Sequence, residues 1–320
     1  MKKWICLLLG VASIFMGCSS KDTCSKLKTF MQNNGKPKVL STIAMIDDLV
    51  QQIGGEQIDA ICLVTGEIDP HSYELVKGDG EKFERADIVF ANGLGLEHGA
   101  SIQYQLREHK NCVVLGDHLY RQCRQDLLII DGQLDPHVWM DMALWARIVD
   151  PIVSALSAKD PEHANLYQER GAKLKETLLE HHSAIYTQMQ NVPEEKRFLV
   201  TSHDAFNYFA RRYLSNPQEL SKHGWKKRVA APQGLAPDSQ LSPADILEII
   251  SHLERYHIPV LFPESNVSSD ALKKVVDASA KRGMTIKMIE TPLFGDAMES
   301  SYIEMMRHNA NVIAKSLHNE

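Results

Sequence analysis

The phrase Asp-Pro-His occurs twice in the chain, as Asp69-Pro70-His71 and Asp135-Pro136-His137, and a third histidine ends the segment Thr201-Ser202-His203. Each is read just past the end of a strand or turn, with its histidine at the start of a helix. There the positive end of the helix dipole opposes protonation and keeps the imidazole lone pair free for a metal. A cage built on this plan needs a carboxylate as well, and Phe294-Gly295-Asp296-Ala297 supplies one. His71 and His137 come from the first half of the chain, His203 and Asp296 from the second. The set would close only where two lobes face each other, in the crevice at the carboxyl ends of the strands of an open α/β sheet.

Read by spacing alone, these residues leave two interpretations open, because the chain has 14 histidines and any single one is more simply a capping or core residue. The pair His181-His182 is assigned to a solvated helix face. Asp204 and Glu264 are the only spare acids near the proposed crevice, either supporting the ligands or capping helices. There is no His-Glu-x-x-His, no Gly-x-Ser-x-Gly and no phosphate-cradling glycine loop. Four protein ligands fill a coordination shell, whereas a metallohydrolase keeps one position open, so no enzymatic activity is expected.

The elements that must position these residues alternate between strand and helix. A strand from Lys38 to Thr42, a helix from Ile43 to Ile53 and a strand from Gln57 to Val64 lead into the first Asp-Pro-His. A strand from Ala86 to Phe90, a helix from Ser101 to Glu108 and a strand from Cys112 to Leu115 follow. Segment 117–134 reads as irregular, and 138–158 as one helix in which Trp139 and Trp145 are core. Alternation at this spacing predicts an α/β fold with a parallel sheet flanked by helices. Asp160-Pro161-Glu162 starts a helix that meets no proline until Pro193, about 46 Å if unbroken. A helix of that length reads as a strut between two lobes. Beyond it the plan repeats, through strands at 197–201, 259–262 and 285–289 and helices at 205–213, 242–256, 269–281 and from Tyr302 onward. The expected organisation is an N-terminal α/β lobe over 38–160, a linking helix over 161–192 and a C-terminal α/β lobe over 193–320.

The chain has 320 residues, 44% of them hydrophobic and 24% charged, with a net charge of −6, which gives no reason to expect nucleic acid. After its first twenty residues no stretch is apolar enough to cross a bilayer. Residues 1–18 differ: Lys2-Lys3 precedes an apolar run from Trp4 to Met16 that ends in Gly17-Cys18, an export signal. Gly17-Cys18 resembles a bacterial lipoprotein signal, which implies a lipid anchor at Cys18. An uncleaved apolar anchor and a simple secretory signal are the alternatives, and all three export the protein. Residues 19–37 read as a polar tether. Of the 6 cysteines, Cys112 and Cys123 flank a short polar segment and could pair in an oxidising compartment.

Six ordered segments carry a resemblance that extends from Val39 to the C-terminus. They are Asp69-Pro70-His71-Ser72-Tyr73-Glu74, Ala91-Asn92-Gly93-Leu94-Gly95-Leu96-Glu97, Asp135-Pro136-His137-Val138-Trp139, Thr201-Ser202-His203-Asp204-Ala205-Phe206, Phe262-Pro263-Glu264-Ser265-Asn266 and Phe294-Gly295-Asp296-Ala297. The chain resembles the metal-binding solute-binding lipoproteins of ATP-driven (ABC) zinc, manganese and iron importers. The resemblance implies two α/β lobes bridged by one rigid helix, which limits metal-linked motion to loops and small rotations. It implies one divalent transition metal held by His71, His137, His203 and Asp296. It also implies a monomer, periplasmic or lipid-anchored outside the cytoplasm, whose partners are an ABC permease and its ATPase. A surface adhesin that uses metal only for stability and a metallohydrolase are the alternatives. His203 stands where manganese-type members tend to have glutamate, which favours zinc, while the long histidine-rich loop of many zinc-type members is missing. Three histidines and an aspartate could hold Zn²⁺ tetrahedrally, or Mn²⁺ or iron if Asp296 chelates through both oxygens.

Overall fold

The computed structural model describes residues 19–221, 224–237, 242–298 and 300–319. The export segment, with Cys18, lies outside the described residues. The first half of the chain runs α1 (Ser19–Met31), β1 (Lys38–Ile43), α2 (Ala44–Gly54), β2 (Asp59–Val64), α3 (Asp79–Arg85), β3 (Ile88–Ala91), α4 (Ala100–Glu108), β4 (Cys112–Val114) and α5 (Leu115–Cys123). The four strands form one parallel sheet in the order β2-β1-β3-β4. Every residue of β1 is buried, as expected of a central strand covered on both faces. In α2 the apolar residues Met45, Ile46, Leu49, Val50 and Ile53 recur at helical spacing and are all buried.

A small antiparallel hairpin, β5 (Ile129–Ile130) and β6 (Gln133–Leu134), precedes α6 (Met142–Trp145), α7 (Val149–Lys159) and the long helix α8 (Ala164–Gln190). The second half then runs β7 (Leu199–Val200), α9 (Asn207–Phe209), α10 (Pro217–Ser221), β8 (Val229–Ala230), α11 (Pro243–Tyr256), β9 (Val260–Leu261), α12 (Asp270–Ala280), β10 (Lys287–Met288) and α13 (Tyr302–Asn319). Strand β7 pairs parallel with β8, and β9 with β10. The two pairs are joined where the Phe262 N–H donates to the Val200 carbonyl at 2.8 Å, beside a parallel bridge between Thr201 and Phe262. Counted from its own start, the second sheet has the same order as the first. The expected fold, two α/β lobes with parallel sheets bridged by one long helix, is the fold observed.

Helix α8 carries one buried stripe, Tyr167, Gly171, Leu174, Leu178, Ile185 and Met189, and packs against α2, α6 and α7 of the first half and α13 of the second. It begins one turn later than the sequence suggests, because Pro161–His163 forms a 3-10 turn. A single hydrophobic cluster runs through it from Val39 and Leu49 of the first half to Phe262, Tyr302 and Leu317 of the second. Two smaller clusters fill the outer faces of the two sheets.

Several local expectations are corrected. The supposed tether includes helix α1, whose Phe30 is fully buried under the first sheet. Segment 117–134 contains most of α5 and the hairpin. The single helix expected over 138–158 is broken at Asp141, whose carboxylate caps α6 by accepting from the N–H groups of Ala143 and Leu144. Cys112 and Cys123 are free thiols, and the Cys123 thiol donates to the Leu119 carbonyl instead. His182 is half-buried with Nδ1 3.0 Å from the Tyr213 hydroxyl, not on a solvated face.

Candidate metal centre

The four singled-out side chains converge. His71, His137, His203 and Asp296 are all buried, and one donor atom of each lies within 4.8 Å of every other. Nε2 of His71 is 3.2 Å from Nε2 of His137. The Asp296 carboxylate reaches all three rings, at 3.6 Å from His71 Nε2, 3.3 Å from His137 Nε2 and 3.1 Å from His203 Nε2.

Each residue arrives from the carboxyl end of a strand or strand pair. His71 sits in a bend after β2, His137 after the β5–β6 hairpin, His203 three residues beyond β7, and Asp296 beyond β10. None lies within a helix. His71 is followed by irregular chain up to α3, and only His137 directly precedes a turn of 3-10 helix, Val138–Met140. The helix-dipole argument therefore does not set the protonation of these rings.

Carboxylates and burial set it instead. Asp135 Oδ1 accepts from the backbone N–H of His137 at 2.9 Å and from its ring Nδ1 at 2.8 Å. Since a carboxylate only accepts, Nδ1 carries the proton and Nε2 is turned toward the cluster. Glu264 stands beside His203 in the same way, accepting the backbone N–H at 2.8 Å and placing Oε2 2.7 Å from Nδ1, though that second contact is not aligned as a hydrogen bond. The identical phrase around His71 works differently. Asp69 accepts from the His71 backbone N–H at 2.8 Å and from the Ser72 hydroxyl at 2.6 Å, closing a local turn without touching the ring.

The electrostatics follow from these contacts. Burial is the largest influence on His71 and lowers it to about 3, against a smaller upward pull from Asp296. Burial pulls His137 down too, but Asp135 and Asp296 together outweigh it and raise the ring to about 9. Glu264 and Asp296 likewise overcome burial and push His203 well above the ordinary imidazole value. Asp296 is held well below the carboxylate range, since His203 and His137 overcome its desolvation.

The short contacts are poorly directed. Both oxygens of Asp296 and both ring nitrogens of His203 are buried without a well-aligned hydrogen bond, close as their neighbours are. An aspartate and an imidazole that crowd one point without bonding each other fit a cation better than a hydrogen-bond network. In a tetrahedral zinc site with Zn–N near 2.05 Å, neighbouring donors stand about 3.3 Å apart. Four of the separations, 3.2, 3.6, 3.3 and 3.1 Å, bracket that value, with Asp296 turning Oδ2 to His71 and His203 and Oδ1 to His137, and all pairs lie within 4.8 Å.

Of the two spare acids, Glu264 stands against the His203 ring, whereas Asp204 feels His137 and His203 only as a weaker downward pull through space. Burial, with Asp135 nearby, instead pushes the Asp204 carboxyl up to about 6. Sequence reasoning missed Asp135, although it is part of the repeated phrase, and it missed Gly295. A Cβ on Gly295 would lie 2.2 Å from Glu264 Oε2 and 3.1 Å from His203 Cε1, so this glycine leaves room for the carboxylate that orients His203.

Residues 39–316 match the family described as zinc-uptake complex component A, periplasmic. A curated relative, the metal-binding protein YtgA of Chlamydia pneumoniae, is 34% identical over 303 residues, 95% of this chain and 92% of the relative. The manganese-binding lipoprotein MntA of Bacillus subtilis is 32% identical over 88% of this chain and 89% of its own length. Among solved structures, Fe(III)-bound YtgA from Chlamydia trachomatis aligns with a TM-score of 0.84 and 36% identity, covering 87% of this chain and 97% of that one. The periplasmic zinc-binding protein TroA of Treponema pallidum aligns with a TM-score of 0.79 and 30% identity, covering 88% and 99%.

Proposed function

The chain belongs to the family of periplasmic components A of zinc-uptake complexes, and we propose that it captures one transition-metal ion through His71, His137, His203 and Asp296 and delivers it to an ABC permease with its ATPase. It is a binding protein and not an enzyme, like the substrate-binding proteins that make up its family. The observation that carries this reading is the spacing of the four buried donor atoms, which suits a single ion shared among three imidazoles and a carboxylate. The relatives carry zinc, manganese and iron in their names, so the cargo here is one of these three. Three neutral nitrogen donors favour zinc, and the Irving–Williams order points the same way.

The same reading places the protein outside the cytoplasm, tethered through lipid on Cys18 and working as a monomer. The lipoprotein relatives and the Gly17-Cys18 pair after an apolar run support the anchor. The completeness of the donor set within one chain supports the monomer. A metallohydrolase would need a coordination position open to water, and here all four donors are buried.

Elemental analysis after purification without added metal, followed by competition among zinc, manganese and iron, tests the reading. About one equivalent of metal is expected, lost by orders of magnitude in affinity in His203→Ala while the far-ultraviolet circular dichroism stays unchanged. A chain that takes up no stoichiometric metal would return these histidines to capping and core roles.

A further inference from the structure

The buried donor set has one side nearer to solvent. The side chains of His137, His203 and Asp296 are 0% exposed and that of His71 is 2% exposed, which places the His71 ring on the solvent side of the set. Beside His71 stands a histidine that the donor set does not use. The ring of His98 is exposed, and its centroid is 5.9 Å from that of His71.

That placement is braced. The buried Glu97 carboxylate accepts from the Thr42 hydroxyl at 2.6 Å and from the N–H groups of Asn92 and Gly93 at 2.8 and 2.9 Å, which ties the turn before His98 to the top of the first sheet. On the other side, a Cβ on Gly99 would lie 2.2 Å from the Tyr73 carbonyl oxygen, so the backbone after His98 is pressed against the segment that carries His71. The Glu74 carboxylate then accepts from the N–H groups of Ala100 and Ser101 at 2.8 and 3.0 Å. The two histidine-bearing segments are thereby pinned together, with one ring buried and the other in solvent.

We propose that His98 is a transient ligand at the mouth of the site, which takes a hydrated divalent cation from solution and passes it to His71, and receives it again on release. The inference rests on the receptor reading above. A hydrated ion gives up its waters one at a time, and a protein nitrogen that replaces an early one lowers the barrier between solvent and cage. A ligand used only in transit speeds capture and release equally and leaves the equilibrium untouched.

The test is stopped-flow mixing of the full-length protein with Zn²⁺, release into excess chromophoric chelator, and an equilibrium titration of the same samples. In His98→Ala and His98→Gln, association and dissociation should both slow by the same factor, about fivefold or more, with Kd held within about twofold. Rates within about twofold of wild type in both variants would overturn the proposal. So would faster dissociation alone with a weaker Kd, which would make His98 part of the bound cage. Wild-type rates in His98→Gln but not in His98→Ala would reduce the residue to a steric role and overturn it as well. Wild-type protein that binds no zinc at equilibrium would sink the receptor reading itself, whereas tight wild-type binding with unaltered variant rates would sink only the role of His98.

Discussion

The indole Nε1–H of Trp139 donates to the carbonyl oxygen of Gly295 at 2.9 Å, both groups being buried. The bond joins the residue two places after His137 to the residue just before Asp296, and so couples a candidate ligand of the first half to one of the second. The Tyr302 hydroxyl donates to the Trp139 carbonyl at 2.6 Å, and Asn309 holds both the N–H and the C=O of Phe294. In Trp139→Phe the Gly295 carbonyl loses its donor, a loss of about 1–3 kcal/mol for a buried acceptor. Metal affinity should fall by about tenfold, mostly through faster release, with all four ligands intact. Chelator competition measures this. A variant that melts at lower temperature yet binds zinc as tightly as wild type would confine Trp139 to packing.

Asp135 and Glu264 hold His137 and His203 in the tautomer that turns Nε2 inward. Asp135→Asn and Glu264→Gln keep the shape and remove the charge, and each should weaken metal binding by about 10–100-fold. Asp69→Asn removes the acid that touches no ring, and it should leave affinity within about threefold of wild type. Equal losses in all three variants would mean that the carboxylates act through general charge and not through orientation. Gly295→Ala should be as damaging as Glu264→Gln, since the added methyl occupies the position of Oε2.

Metal binding should release protons. Without metal, His137 is raised to about 9 and His203 is pushed well above its ordinary value, so both rings hold a proton at neutral pH that must leave before Nε2 can bind. Affinity therefore climbs as pH rises toward 9. The stability of the metal-free protein slopes the other way. The contribution of His137 is full below its ordinary 6.5 and is lost as pH rises through about 9. His71, lowered from 6.5 to about 3, adds stability with rising pH only below 6.5. The gap in melting temperature between loaded and metal-free protein should accordingly widen from pH 6.5 to 9. Titration calorimetry in buffers of different ionisation enthalpy would count the protons, and a count of zero at pH 7 would contradict this assignment.

Asp47 should be a source of instability. It lies in α2, buried, with Gln51 as donor to one carboxylate oxygen and no partner for the other. Burial, only partly offset by Gln51, raises it from 3.8 to about 6. A carboxyl raised on folding contributes stability that is full below pH 3.8 and is lost as pH rises through about 6. Asp47→Asn should therefore stabilise the protein by on the order of 1–3 kcal/mol at pH 8 and by little at pH 3.5. Urea unfolding at both pH values checks it, and an unchanged or lower midpoint at pH 8 would show that the charge is compensated in the folded state.

What could be read from the sequence followed the strength of local signals. The strands that lead to His71 and His203 and the helices over 43–53 and 242–256 advertise themselves through hydrophobic period, and each stands close to where it was expected, whereas the hairpin before His137 gave no such signal. Convergence of the four candidate ligands was legible because a repeated phrase is harder to produce by chance than a lone histidine. The breaks in 138–158 were not legible, since Val-Trp-Met-Asp carries no glycine or proline and the interruption is caused by Asp141 turning back to cap. Protonation was misread for a similar reason: a histidine after Asp-Pro resembles a helix start, but the chain past His71 stays irregular up to α3. The difference between Asp69, which bonds backbone, and Asp135, which bonds a ring, depends on side-chain rotamers that identical tripeptides do not distinguish.

The continuous cluster that passes through α8 bears on modularity. Trp145 packs edge-on against Trp139 and at a tilt against Tyr302 of the last helix, so neither half can be lifted away without stripping aromatic surface from the other. Severed at the long helix, the chain would give two fragments with matching greasy faces and neither with a finished interior. Heating the intact chain should produce one cooperative unfolding event, with an ion in the crevice shifting all of it at once. Loading and folding would then be read by the same calorimetric peak, and the cell that needs the metal would also be selecting for the intact molecule.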